Sequence, residues 1–188
     1  MILPRKFYQR NTTIVAKELI GKKIIRIDKN SLYSGIIIET EAYRASDDAA
    51  SHAFNNITER NHAMYETVGK AYVYFTYGMY HCLNVVARSE KFTAGAVLIR
   101  GIFPIDGIKK MQRNRKIEEK SNLSNGPGKL TQALNITLEQ YGIDMTKKSN
   151  LYITTGITPK KIKVSSRVGI SKATDKKWNF SVNPKDYF

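Results

Sequence analysis

The segment from Ala71 to Val86 constrains this chain more than any other. It places Tyr72, Val73, Tyr74 and Phe75 before Gly78, and Tyr80, Leu83, Val85 and Val86 after it. Aromatic and β-branched residues favour strands, and a glycine between two such runs marks a reversal. The segment therefore predicts a β-hairpin with Tyr77 and Gly78 at its tip. Side chains alternate faces along a strand, so Tyr72 and Tyr74 share one face of the first arm. Tyr80, Cys82 and Asn84 share one face of the second.

The rest of the chain mixes strands with irregularly spaced helices. Residues 12–20 predict a short helix, capped by Asn11 or Thr12 and stopped at Gly21. Residues 22–28 and 33–43 predict strands, as do residues 95–102. Ser46, Asp47 and Asp48 predict the start of a short helix toward His52, because a capping serine and early acidic residues suit a helix N-terminus. Residues 55–61 are polar and predict a loop. Asp106 is expected to cap a basic helix reaching about Glu119. Pro127 is expected to open a helix ending near Ile136. The tail from Lys160 onward is basic and strand-like. The pattern predicts an α+β fold: a single domain over residues 1–188, with a curved, mostly antiparallel sheet, surrounding helices and a protruding β-hairpin. The 188 residues, 41% hydrophobic, suffice for one core.

Charge narrows the partner. The chain has 31 Lys and Arg against 16 Asp and Glu, a formal net charge of +15. Such a field favours a polyanion, above all nucleic acid. Lys109, Lys110, Arg113, Arg115 and Lys116 crowd one predicted helix. Lys160, Lys161, Lys163, Arg167, Lys172, Lys176 and Lys177 follow in the tail. As groups they read as phosphate contacts, which give affinity without sequence information. The single cysteine, Cys82, excludes an internal disulfide and any four-cysteine metal site. His52, His62 and His81 lack helical ligand spacing, so no metal and no cofactor is expected. The N-terminus has no apolar run like that of a signal peptide, and no stretch approaches about 18 apolar residues. An intracellular location without a membrane partner is the expectation.

Alternation along residues 35–43 puts Glu39, Glu41 and Tyr43 on one strand face, with the two carboxylates roughly 7 Å apart. A close carboxylate pair suits acid–base chemistry. It is equally what the solvated face of an edge strand would show. His52 and Arg100 are each compatible with purely structural roles. A bulky residue at a rigid hairpin tip can wedge between base pairs, which gives Tyr77 a candidate role.

Taken in order, several motifs make the chain recognisable. They are residues 39–43 (Glu39-Thr40-Glu41-Ala42-Tyr43), residues 47–52 (Asp47 to His52), Arg60-Asn61 with Met64, and residues 72–84. Residues 97–100 (Val97 to Arg100), residues 126–130 (Gly126 to Leu130) and residues 167–170 (Arg167 to Ile170) follow. Together they resemble the alkyladenine type of 3-methyladenine DNA glycosylase, over nearly the whole chain. One departure is that Trp178 is followed by Asn179, where family members often carry an arginine.

The resemblance implies roles. Glu41 would be the general base that activates a water, with Arg100 and the Val168 carbonyl helping to hold it. Tyr43 on one side, with His52 and Tyr74 on the other, would sandwich a flipped base. Asn84 would crowd the 2-amino group of guanine. Tyr77 would enter the minor groove at the tip beside Gly78, Met64 would lie against the DNA next to it, and Lys129 would contact the DNA. The implied partner is double-stranded DNA containing a damaged purine, bound by a monomer. The implied reaction is hydrolytic excision without strand cleavage, because no lysine in the matching motif could form a Schiff base. Two other readings are a non-catalytic basic architectural protein, which leaves Glu39 and Glu41 unexplained, and a carbohydrate glycosidase, which leaves the charge unexplained.

Overall fold

A computed structural model describes residues 1–76 and 78–187. Helix α1 spans Arg5–Tyr8 and α2 spans Thr12–Leu19; strands β1 (Lys23–Asp28) and β2 (Ser31–Arg44) follow. Next come β3 (Ala71–Thr76), β4 (Tyr80–Val86) and β5 (Gly95–Asp106), then α3 (Ile108–Arg115) and α4 (Pro127–Ala133). The chain ends with β6 (Leu151–Thr154), β7 (Lys163–Ser165) and β8 (Asn179–Ser181). The strands form one antiparallel sheet in the order β3-β4-β5-β2-β1-β6, with β8 pairing β2 and β7 pairing β8. The α+β architecture matches the expectation.

Strand β2 organises the molecule. One edge pairs with β5 along most of its length. The other edge is divided: residues 31–36 pair with β1, and residues 39–41 pair with β8 from the far end of the chain. One face of this sheet is apolar. Val97 and Ile99 of β5 and Leu83 and Val85 of β4 are fully buried, as are Val15, Ala16 and Leu19 of α2. Burying each such aliphatic side chain contributes about 1.5–3 kcal/mol. Polar anchors fix the helix to the sheet: the Thr40 hydroxyl donates to the Ala16 carbonyl (2.8 Å) and the Thr12 hydroxyl to that of Ala87 (2.9 Å). Asn11 caps α2 by accepting from the Thr13 N–H.

Four local expectations are corrected. Residues 46–52 form turns rather than a helix; Ser46 takes a left-handed φ of 77°. The reason lies in Asp48, whose carboxylate accepts from the Ala50 N–H and is bound by Arg167. Asp106 does not cap α3, because its carboxylate takes Lys23 and Ser34. Gly107 is the N-cap instead, at φ 80°, where an added Cβ would lie 2.4 Å from the Leu32 carbonyl oxygen. Helix α3 ends at Arg115 and α4 at Ala133, both earlier than expected. Among the described residues of the tail, β7 and β8, three residues each, are the strands.

Candidate active site

The polar face of the sheet carries a row of side chains at matching register. Asn179 of β8 lies opposite Glu41 of β2, Glu41 opposite Leu98 of β5, Leu98 opposite Asn84 of β4, and Asn84 opposite Tyr72 of β3. Directly opposed residues project to the same face. Leu98, Asn84 and Tyr72 therefore line a common cavity of about 320 Å³, together with Tyr43, Tyr74, Cys82 and Arg100 from the same strands. The cavity is completed by Ala50 and His52, Met64, Pro127 of α4, and residues 168–170 of the tail. It lies at the small end of the range of ligand pockets, about 300–1,000 Å³.

Arg100 owes its position to an irregularity. In the β2–β5 pairing, Glu39 faces Gly101 while Thr40 faces Ile99, so Arg100 is an extra residue in a β-bulge. Bulges re-aim side chains. The Arg100 Nε donates to Glu39 Oε1 at 2.9 Å and stands 3.4 Å from Glu41 Oε1. Burial opposes its charge, but the two carboxylates outweigh this and hold its pKa above the usual value.

Glu41 is fully buried and heavily restrained. Its Oε1 accepts from the Val168 N–H (2.7 Å) and the Asn179 amide (3.0 Å), and its Oε2 accepts from the Tyr43 hydroxyl (2.7 Å). Burial first, then the Glu41 charge, pushes the Tyr43 phenol far above its ordinary pKa, so it remains a donor. Burial likewise raises Tyr72 and Tyr74. Partial desolvation and the nearby Arg60 guanidinium lower the His52 pKa and so favour its neutral form. His52 Nδ1 lies 3.1 Å from the Tyr72 hydroxyl, and its ring meets Tyr74 edge-on at 4.8 Å. The Arg60 guanidinium covers the Tyr74 ring at 5.1 Å.

The expected site residues thus divide. Arg100, Val168, Tyr43, His52, Tyr74 and Asn84 line one cavity, and Glu41 lies buried behind its wall, bonded to Val168 and Tyr43. At Val168 it is the backbone N–H that meets Glu41. Asn84 is buried, with its amide donating to the Tyr72 carbonyl at 3.0 Å. Met64 is 1% exposed, packs in the core and contributes to the cavity wall. Gly78 sits at the hairpin turn with φ 64°, and, its chain neighbours aside, no described residue lies within 4 Å of where its Cβ would be. Tyr77 lies outside the described residues. Lys129 donates to Asn122 and Asn125 near the start of α4.

Two residues went unassigned by sequence reasoning. Arg167, grouped there with phosphate-binding cations, is buried and forms a two-pronged ion pair with Asp48 (2.6 Å on each side). It also covers the Tyr43 ring at 4.6 Å and donates to the Ala42 carbonyl. Asn179, noted only as a departure from a family pattern, donates to both Glu39 and Glu41. Sequence neighbours give no signal for either contact, since the partners lie more than a hundred positions away.

Comparison with known proteins shows the family. The model of the family described as methylpurine-DNA glycosylase (MPG) matches residues 6–186. A relative from Prosthecochloris aestuarii, provisionally named a 3-methyladenine DNA glycosylase, is 44% identical over 186 residues, covering 97% of this chain and 88% of the relative. One from Carboxydothermus hydrogenoformans, named likewise, is 42% identical over 189 residues, covering 100% and 98%. A third, from the Wolbachia of Brugia malayi, is 43% identical over 181 residues, covering 96% and 97%. The chain belongs to the methylpurine-DNA glycosylase family.

Proposed function

We propose that this protein excises alkylated and deaminated purines from double-stranded DNA by hydrolysing the N-glycosidic bond of a base flipped into the aromatic cavity. The observation that carries this reading is the restrained, buried carboxylate of Glu41, bonded to Tyr43 and Val168 in the wall of a cavity of ligand size. Oε1 is occupied by two donors, whereas Oε2 holds only the Tyr43 hydroxyl among the described residues. A carboxylate oxygen can accept two hydrogen bonds, so Oε2 has room for a water. Glycosidic cleavage passes through a sugar with oxocarbenium character. Glu41 would stabilise that charge and take a proton from the water attacking C1′, while the bond electrons leave with the base. Arg100 would hold the two carboxylates in place.

Selection would have three sources. Damage weakens stacking in the duplex and lowers the cost of extrusion. Tyr43, Tyr74 and His52 would stack on an electron-poor base, at about 1–3 kcal/mol per stack. Asn84 would exclude a 2-amino group. Tyr77 would fill the vacated space in the duplex. The protein would act as a monomer, without strand cleavage.

The test is base release from duplexes carrying one hypoxanthine, ethenoadenine or 3-methyladenine, comparing the parent with Glu41→Gln. Release is expected from the parent and should fall at least a thousandfold in the variant, about 4 kcal/mol, while damaged-duplex binding survives. Undiminished release by folded Glu41→Gln would sink the assignment. Tight duplex binding without release by the parent would favour the architectural reading.

A further inference from the structure

We propose that Asn179 is a positioning residue for excision, whose side-chain amide bridges the Glu39 and Glu41 carboxylates and fixes which Glu41 oxygen is left for the substrate. The proposal rests on the reading of Glu41 as the base.

Three observations carry it. First, the Asn179 nitrogen stands 2.8 Å from Glu39 Oε1 and 3.0 Å from Glu41 Oε1. An amide NH₂ has two hydrogens, one for each carboxylate. Second, the orientation of the amide is determined. Its oxygen accepts from the Ser165 hydroxyl at 3.3 Å, from the residue opposite it on β7. The flipped amide would press a carbonyl oxygen against two carboxylates and lose that donor. Third, Asn179 is 2% exposed, so water does not readily replace it.

The consequence is geometric and electrostatic. Glu39 and Glu41 are two negative charges, and Arg100 is the cation that contacts both. The other nearby guanidinium, Arg167, is engaged by Asp48. A neutral bridge lets both carboxylates stay close without adding a second compensating cation. It also holds Oε1 from the β8 side while Val168 holds it from the tail. Among the described residues, Oε2 is then the Glu41 oxygen left with an unfilled acceptor position. β8 pairs with β2 at Glu39 to Glu41, which places Asn179 directly opposite Glu41.

The experiment compares the parent, Asn179→Ala, Asn179→Asp and Glu41→Gln. Single-turnover excision from a hypoxanthine duplex is measured beside the Kd for the same duplex and the melting temperature. Asn179→Ala is expected to slow excision on the order of 10–100-fold, as small misplacements of a reacting group do, with Kd changed less than about threefold. Asn179→Asp keeps the size but places a third carboxylate against the pair, and is expected to lose at least as much rate. Ser165→Ala, which removes only the orienting hydroxyl, is the milder variant should the others fail to fold; it should slow excision with Kd unchanged. Parent-like excision in folded Asn179→Ala, or in Ser165→Ala where the others do not fold, overturns the proposal. So does a parallel loss of rate, binding and melting temperature, which is the pattern of a merely structural residue. If Glu41→Gln is inactive and Asn179→Ala is normal, only the bridge fails. If Glu41→Gln is itself active, the underlying reading fails.

Discussion

Asp48 and Arg167 illustrate how a single buried pair can organise a site. Both side chains are completely buried. The terminal nitrogens of Arg167 donate to Asp48 and to the Ala42 carbonyl, and its flat guanidinium backs the Tyr43 ring. The next residue, Val168, then delivers its N–H to Glu41. Breaking one half of a buried pair leaves an uncompensated charge and costs about 3–5 kcal/mol. Asp48→Asn is therefore expected to lower the melting temperature, by about 2–4 °C for each kcal/mol in a domain of this size. The double variant Asp48→Asn with Arg167→Met removes both charges and should recover part of the loss, since replacing a buried pair by apolar groups is often near neutral. Thermal melts of the two variants check this. A double variant no better than Asp48→Asn would show that Arg167 is needed for its packing on Tyr43 rather than for its charge.

At the scale of elements, the hairpin shows what local pattern can convey. Dense aromatic and β-branched residues on both sides of Gly78 were enough to anticipate β3 and β4, and alternation placed Tyr72 and Tyr74 on one face. Glu39 and Glu41 likewise share a face, where one Asn179 amide reaches both. Helix starts were less legible. Ser46 to Asp48 and Asp106 both have the composition of caps, yet their carboxylates are claimed by Arg167 and by Lys23 with Ser34. Charged side chains choose partners across the whole fold, and no local pattern lists those partners. The same reason hid Asn179, whose role depends on β8 reaching the second half of β2. The hairpin tip carries a prediction of its own. Tyr77 flanks a glycine with open space around it, and a wedge there would hold the duplex open. Tyr77→Ser should weaken binding to a duplex with an uncleavable flipped-base analogue by about 1–3 kcal/mol. Equal binding by variant and parent would remove the wedge role.

For the whole molecule, two kinds of charge act over different ranges. The net +15 is spread over the surface, with Lys109, Arg113 and Lys116 of the α3 region and Lys160, Lys161, Lys163 and Lys172 of the tail among its carriers. Such cations bind phosphates by releasing counterions, so affinity for duplex should fall linearly in log Kd against log salt, with a slope of about 0.9 per phosphate contacted. The charges of the site behave otherwise. Glu41 is buried, Arg100 is bound to carboxylates, and Asp48 and Arg167 neutralise each other away from solvent. Mobile ions screen buried pairs far less than exposed ones. Discrimination should therefore be independent of salt even as affinity collapses. Between about 50 and 200 mM salt, Kd for both undamaged and hypoxanthine duplexes is expected to rise by more than tenfold, while their ratio stays within about twofold. Fluorescence anisotropy on the two duplexes measures both quantities in one titration. A ratio that decays along with affinity would mean that damage is sensed through the phosphate backbone, and would move recognition from the aromatic cavity to the cationic surface.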